Sequence, residues 1–247
     1  MAENQEQSQK FICADAASNE CGKRCHELRN LFKRQYSHGW AVRHKSLGEI
    51  FAKLNCGTIV EIGVARGELS HYLMKYLSQN VSIVKEYHGV DPFMGGYDAT
   101  DAMSKELAAV HKPQAWNEAI LNFLSSYGCL FRMHHGTSRE RVSDFDDNSI
   151  DCIFFDGDHT YEGIKNDIIL YAPKIKPGGA LLFDDYSASY MGVVKAVDEL
   201  SDVNRLEFHK INEYNNYYVV KPTDRPLLTT YVYPDDDKVP LPPIPTF

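Results

Sequence analysis

The chain has 247 residues, 43% of them apolar and 12% aromatic, which suffices for one buried α/β core with appendages but not for two full domains. Its net charge of −8 and pI of about 5.7 argue against a surface built to hold nucleic acid phosphates and favour a small or cationic ligand. No apolar run reaches the roughly 18 residues of a membrane span, and residues 1–10 are polar, so a cytoplasmic protein is expected.

Residues 1–25 are polar and are expected to form a mobile extension. The Cys21, Cys25 and His26 group at the boundary of this extension lacks the second ligand pair that a zinc knuckle needs. Leu28, Leu31 and Phe32 begin a helical pattern. Leu47, Ile50, Phe51 and Leu54, at i, i+3, i+4 and i+7, predict an amphipathic helix ending near Asn55. The first strand follows at 58–62, then a glycine turn from Gly63 to Gly67, a helix over 70–77 and a second strand at 87–90, which together make a βαβ unit.

Residues 94–113 break this alternation with Gly95-Gly96 and Pro113, predicting an irregular insertion at the ligand face. Trp116, Ala119, Ile120, Phe123 and Leu124 lead by a helix into a third strand at 130–133. A fourth strand is expected at 151–155 and a helix at 162–170. Pro177-Gly178-Gly179 reads as a sharp turn into a fifth strand at 180–183. Val193, Val194, Val197 and Leu200 mark another helix, and 206–211 with 217–220 look like a closing hairpin. Cys129 and Cys152 begin apolar runs and are expected as buried free thiols. Prolines from Pro222 to Pro245 make the end extended; it is either a disordered end or, through Tyr231, Tyr233 and Phe247, a segment that packs on a neighbouring copy in a homo-oligomer such as a dimer. The expected divisions are an extension at 1–25, a single domain at 26–222 and a Pro-rich tail at 223–247.

Chemistry concentrates where apolar runs end. Phe154-Phe155-Asp156-Gly157-Asp158-His159-Thr160-Tyr161 closes one run and Asp184-Asp185-Tyr186 closes another, each ahead of a helical segment. In a parallel α/β sheet, side chains just past the carboxyl ends of adjacent strands converge on one crevice. Carboxylates brought so close repel one another, so the cluster is tolerable only with a bound cation or a held proton. A divalent cation is the expectation, and a metal-free site with one protonated carboxylate is its alternative.

The turn Val60-Glu61-Ile62-Gly63-Val64-Ala65-Arg66-Gly67 has two glycines as G-x-x-x-G, short of the three that surround a dinucleotide pyrophosphate. With Glu61 beside it, the turn suits a cationic ligand without phosphates and disfavours NAD. Asp91 ends the second strand, where a carboxylate can accept both hydroxyls of a ribose. His135-Gly136-Thr137-Ser138 follows the third strand, where a purine would rest.

Taken in order, E-x-G-x-x-x-G, an acidic strand end, H-G-x-S, D-G-D-H-x-Y, P-G-G and D-D-Y resemble the class I S-adenosylmethionine-dependent methyltransferases. The likeness is to the branch that includes macrocin and macrolide-sugar O-methyltransferases and the protein partner of cephalosporin hydroxylase, and it covers about residues 45–220. It implies that S-adenosyl-L-methionine is the cofactor, with Gly63 and Gly67 flanking its methionine part and Glu61 orienting the turn near the sulfonium. Asp91 would hold the ribose, Gly136, Thr137 and Ser138 would line the adenine, and Asp156 would complete the cofactor side. Many relatives have a serine two residues after the second glycine; here Leu69 stands there and Ser70 follows. His134 and His135 would shape the adenine side, and Tyr161 and Asp167 would brace the loop.

A second resemblance, to catechol and caffeoyl-coenzyme A O-methyltransferases, implies a Mg2+ site of Asp156, Asp184 and Asp185, with Asp185 where those enzymes have asparagine. His159 falls where the catechol enzymes carry a lysine base. An imidazole accepts a proton near neutral pH, so His159 is a candidate general base, and a loop brace is its alternative.

The expectation is a doubly wound, mostly parallel sheet of about seven strands with N-terminal helices. Its activity would be cation-assisted transfer of a methyl group to a hydroxyl of a small molecule such as a sugar or polyol. A metal-independent methyltransferase acting on nitrogen or a carboxylate is one alternative, and a non-catalytic cofactor-binding partner of another enzyme is a second. A nicotinamide oxidoreductase is more distant.

Overall fold

A computed structural model describes residues 38–65, 67–80, 86–93 and 131–229. The expected N-terminal extension with its cysteine cluster, the 94–113 insertion, the 116–124 helix, Cys129 and the tail beyond 229 lie outside these residues. In chain order the helices and strands are α1 (His38–Lys53), β1 (Thr58–Ile62), α2 (Glu68–Asn80), β2 (Glu86–Asp91), β3 (Phe131–His135), α3 (Ser138–Arg141), β4 (Ile150–Phe155), α4 (Tyr161–Tyr171), β5 (Ile175–Phe183), α5 (Met191–Asn204), β6 (His209–Lys210) and β7 (Tyr217–Val220).

The described strands form one sheet in the order β3-β2-β1-β4-β5-β7-β6. Strands β1 to β5 pair in parallel, and β7 runs antiparallel to both β5 and β6. The chain starts in the middle, builds outward through β2 and β3, then crosses back to β4. The reversal between β1 and β4 opens a crevice at their carboxyl ends.

Alternation along the central strands gives each face its own core. Ile59, Phe154 and Leu182 pack with Leu47 and Phe51 of α1 and Leu73 of α2. Val60, Ile153, Phe155, Leu181 and Phe183 pack with Ile164 and Ile168 of α4 and Val193, Val197 and Leu200 of α5. Burial on both faces explains the consecutive apolar residues Ile153–Phe155 and Ala180–Phe183, where a half-exposed strand would alternate. Truncating Phe154 to alanine in such a core costs about 3–5 kcal/mol. Among the described residues no helix is long and apolar enough to cross a membrane.

Three expectations need correction. Pro177-Gly178-Gly179 is a bulge inside β5 and not a turn before it: the β4–β5 register jumps from Ile150↔Ile175 to Cys152↔Ala180. Gly178, at φ +80°, donates its N–H to Lys221 O at 2.9 Å, and Lys221 N–H returns to Gly179 O at 2.8 Å, so strand-like pairing overrides the local turn chemistry. Of the expected 206–211 strand only His209–Lys210 is regular strand, with Ile211 N–H closing onto Asn216 O at 2.8 Å, while Leu206 and Phe208 pack against the core on the α5 side. Cys152 is not a free thiol. It is joined in a disulfide to Cys56, with a Cα–Cα distance of 5.8 Å, because β1 and β4 are neighbours and Cys56 lies just before β1.

The first tail residues dock on their own chain. Leu227 is part of the core, and Asn204 at the end of α5 receives Leu228 N–H at 2.7 Å and donates to Leu228 O at 3.0 Å.

Candidate active site

Gly63 follows β1 at φ +89°, and a Cβ there would lie 2.0 Å from the carbonyl oxygen of Asp156. Only glycine lets the turn pass so close to the end of β4. Asp91, at the end of β2, aims its carboxylate back at this turn: Oδ2 accepts Val64 N–H at 2.8 Å and Ala65 N–H at 2.7 Å, and Oδ1 accepts Phe93 N–H at 2.5 Å. The residue expected to hold a ribose therefore also fixes the glycine turn, through charge-assisted bonds.

Glu61 is 1% exposed, and its carboxyl is turned toward α2 and β2. Its Oε2 accepts the Ser70 hydroxyl and, at 2.6 Å, the Tyr87 hydroxyl. Burial pushes its carboxyl up to about 8; the two hydroxyl donors oppose that rise, and repulsion from Asp156 and Asp91 adds to it. At neutral pH Glu61 holds a proton, and it ties β1 to α2 and β2. Ser70, one position beyond the usual serine, is taken up by this contact.

At the end of β3, Gly136 N–H reaches Asp91 O at 3.0 Å, which sets the two strand ends side by side. Thr137 caps α3 in a capping box with Glu140. The Ser138 hydroxyl donates to Asp167, whose carboxyl burial raises to about 7 against that hydrogen bond, with Asp158 repulsion adding to the rise. Tyr171 OH fastens Ser138 O at 3.0 Å. His135 approaches Pro92 O at 3.2 Å and lies beside Phe93. His134, on the opposite face of β3, instead bonds Asp144 at 2.8 Å and His88 at 2.9 Å.

Asp156 N–H bonds Ile62 O at 2.8 Å and Asp184 N–H bonds Phe155 O at 3.0 Å, so both acidic strand ends are held in the crevice. Asp156, His159 and Asp185 each offer a ligand atom within 4.8 Å of the others. His159 Nε2 lies 3.5 Å from Asp156 Oδ1 and 3.6 Å from Asp185 Oδ2. Its ring meets Tyr190 edge-on at 4.7 Å between centroids. Two carboxylates and an imidazole at these separations fit a divalent cation that accepts oxygen and nitrogen donors.

Asp184, expected as a third ligand, is oriented differently. Its Oδ2 receives the Arg43 guanidinium, and Asn216 Nδ2 donates to its Oδ1 at 2.5 Å. Arg43 Nη2 also stands 3.6 Å from Asp156 Oδ2. Nothing in the sequence marks Arg43 or Asn216: Arg43 reads as one more polar residue of α1, and Asn216 as part of a polar connection. Tyr161 and Asp167 brace the surroundings as expected, Tyr161 by donating to Glu199 at 2.7 Å.

Residues 60–186 match the family model described as a methyltransferase domain. The fold is similar to that of the O-methyltransferase NovP, with 20% identity, a TM-score of 0.54 and coverage of 74% of this chain and 79% of that one. It is also similar to CalS11, a TDP-rhamnose 3'-O-methyltransferase of calicheamicin biosynthesis, at 15% identity and TM-score 0.54, covering 89% of this chain and 93% of that one. A third similar structure is the O-methyltransferase TomG of Streptomyces achromogenes in complex with SAM, at 14% identity and TM-score 0.52, covering 88% and 96%. Among curated proteins, uncharacterized protein y4gI of Sinorhizobium fredii is 27% identical over 60% of this chain, and uncharacterized protein R132 of Acanthamoeba polyphaga mimivirus is 49% identical over 16% of it. The matches span only 15% and 18% of those two relatives.

Proposed function

We propose that this chain, which belongs to the methyltransferase-domain family, transfers a methyl group from S-adenosyl-L-methionine to a hydroxyl of a small molecule such as a sugar, assisted by a divalent cation such as Mg2+. The observation that carries this reading is one crevice in which the Gly63 turn, Asp91 and the Gly136–Ser138 loop stand next to Asp156, His159 and Asp185. Support for the cofactor and acceptor comes from the shared fold of an O-methyltransferase bound to SAM and of one that acts on TDP-rhamnose.

In this reading Gly63 and Gly67 leave room for the methionine part of the cofactor, Asp91 takes the ribose and Gly136 to Ser138 take the adenine. Asp156, Asp185 and His159 would hold the cation, which supplies Lewis acidity to neighbouring acceptor hydroxyls. Where only the two aspartates hold the ion, His159 instead accepts the proton of the reacting hydroxyl; with His159 bound to the ion, that proton passes to solvent. The methyl carbon passes from sulfur to that oxygen, and the electron pair of the broken S–C bond stays on sulfur. Most of the rate comes from holding donor and acceptor in line. The setting this reading assumes is a cytoplasmic homo-oligomer.

The Arg43–Asp184 ion pair favours one competing reading, a metal-independent methyltransferase, because it partly neutralises the acidic crevice without an ion. Calorimetry with S-adenosylmethionine and NAD, followed by transfer of labelled methyl to a panel of sugars, polyols and amines with and without chelator, tests both. Saturable binding of S-adenosylmethionine with chelator-sensitive transfer to a hydroxyl supports the proposal. Tighter binding of NAD rejects the cofactor, and full transfer in chelator rejects the cation.

A further inference from the structure

Asp184 and Asp185 leave β5 together and meet different surroundings. The Asp184 side chain is 4% exposed and both its oxygens are engaged, Oδ2 by Arg43 and Oδ1 by Asn216 and by the Asp185 N–H at 2.8 Å. Asp185 sits at φ +52°, a left-handed conformation that aspartate tolerates better than most residues, and its N–H is held there by Asp184. Its own carboxylate then faces His159. Three distant parts of the chain meet at Asp184: α1 through Arg43, the end of β5, and the residue before β7.

We propose that Arg43 is a positioning residue that keeps Asp184 out of the cation's ligand set, leaving Asp184 to brace Asp185 while Asp156, His159 and Asp185 hold the ion. The inference rests on the cation-assisted reading above. Charge supports it: Arg43 balances one of the three carboxylates and a divalent ion balances the other two. Removing one partner of a buried ion pair leaves an uncompensated charge, which is costly. Without Arg43, Asp184 becomes a buried carboxylate beside the ion, and the ion is the group best able to satisfy it.

Mn2+ alone, a paramagnetic stand-in for the divalent ion, serves as probe. The full chain and its Arg43→Met, Arg43→Met/Asp184→Asn and Asp185→Asn variants are titrated by electron paramagnetic resonance and melted with and without Mn2+. Asp185→Asn should lose roughly tenfold or more in affinity, since a direct charged ligand is gone. Arg43→Met should melt lower than the parent without the ion, bind Mn2+ roughly tenfold more tightly and gain more from it on melting. The double variant should return to the affinity of the parent.

Unchanged or weaker binding by Arg43→Met overturns the inference. So does a loss in the double variant as large as that in Asp185→Asn, because it makes Asp184 a ligand. If Arg43→Met does not fold without Mn2+, the double variant, which leaves neither charge behind, decides between the same two outcomes. A parent protein that binds S-adenosylmethionine but no Mn2+ rejects the cation reading itself, and that result is distinct from either failure above.

Discussion

The Tyr87 hydroxyl donates to the carboxyl of Glu61 at 2.6 Å, in a part of the core where neither residue reaches water. A polar pair so placed links β1 to β2, and its protonation state becomes a property of the fold.

The first prediction concerns pH. Burial raises the Glu61 carboxyl from an ordinary 4.5 to about 8, so the folded chain holds a proton there that the unfolded chain releases. The resulting stability is fully present below about pH 4.5 and is lost as pH rises through about 8. Glu61→Gln keeps an acceptor for Ser70 and Tyr87 and cannot ionise. Urea unfolding across this range should show the parent falling relative to Glu61→Gln as pH rises. Parallel curves would mean that Glu61 does not titrate in this way.

A second prediction tests the close approach of the turn to β4. Gly63→Ala combines a positive φ with a Cβ 2.0 Å from a backbone oxygen, so something must shift. Backbone strain alone costs about 1–3 kcal/mol, and the clash adds to it. Gly157→Ala, whose added Cβ meets nothing nearer than 3.3 Å, is the control. Melting and S-adenosylmethionine calorimetry should show Gly63→Ala losing both stability and binding while Gly157→Ala keeps most of both. Equal behaviour of the two variants would remove Gly63 from the cradle.

What the sequence made legible follows from what local chemistry can encode. The runs behind Ile62, Val90, Phe155 and Phe183 are largely apolar and are followed by glycine or aspartate, so strands and their mouths could be placed one at a time. Asp91, Asp156 and the Asp184-Asp185 pair could be assigned to one crevice because parallel strands share one end. Partnerships made by the fold could not be read. Arg43 reaches Asp184 across 141 positions, and nothing in α1 marks it among neighbouring polar residues. The bulge at Gly178 has the residues of a turn, and only its bonds to Lys221 make it part of a strand. Cys56 and Cys152 are 96 positions apart and meet because the sheet reverses between β1 and β4.

That pairing gives a third prediction. Cys56 and Cys152 are both buried, so reagents should reach neither in the folded chain. After denaturation without reductant, alkylation and peptide mapping should leave both unlabelled, with one linked peptide joining the segments before β1 and at the start of β4. Reductant should release both for labelling. Such bonds are rare in a reducing cytosol, so the fraction linked in freshly lysed cells also reports on compartment. Full labelling of Cys56 and Cys152 without reductant would reject the bond.

The last prediction separates two uses of His159. The imidazole stands 3.5 Å from Asp156 and 3.6 Å from Asp185, close enough to share a cation with both, and it is also the candidate base of the proposed reaction. As a general base alone, its replacement by alanine should lower turnover about 100-fold or more and leave Mn2+ affinity unchanged. As a ligand, the same replacement should weaken Mn2+ binding along with turnover, and excess Mn2+ should recover part of the rate. Geometry favours the ligand role, because the donor atoms already cluster without an acceptor present. The expected result is therefore weaker Mn2+ binding by His159→Ala with partial rescue at high ion concentration. His159→Asp, which restores a ligand atom without an imidazole, should bind the ion more tightly than His159→Ala. Mn2+ affinity equal in the parent and His159→Ala, with turnover still lost, would return His159 to the role of base and leave the ion to the two aspartates.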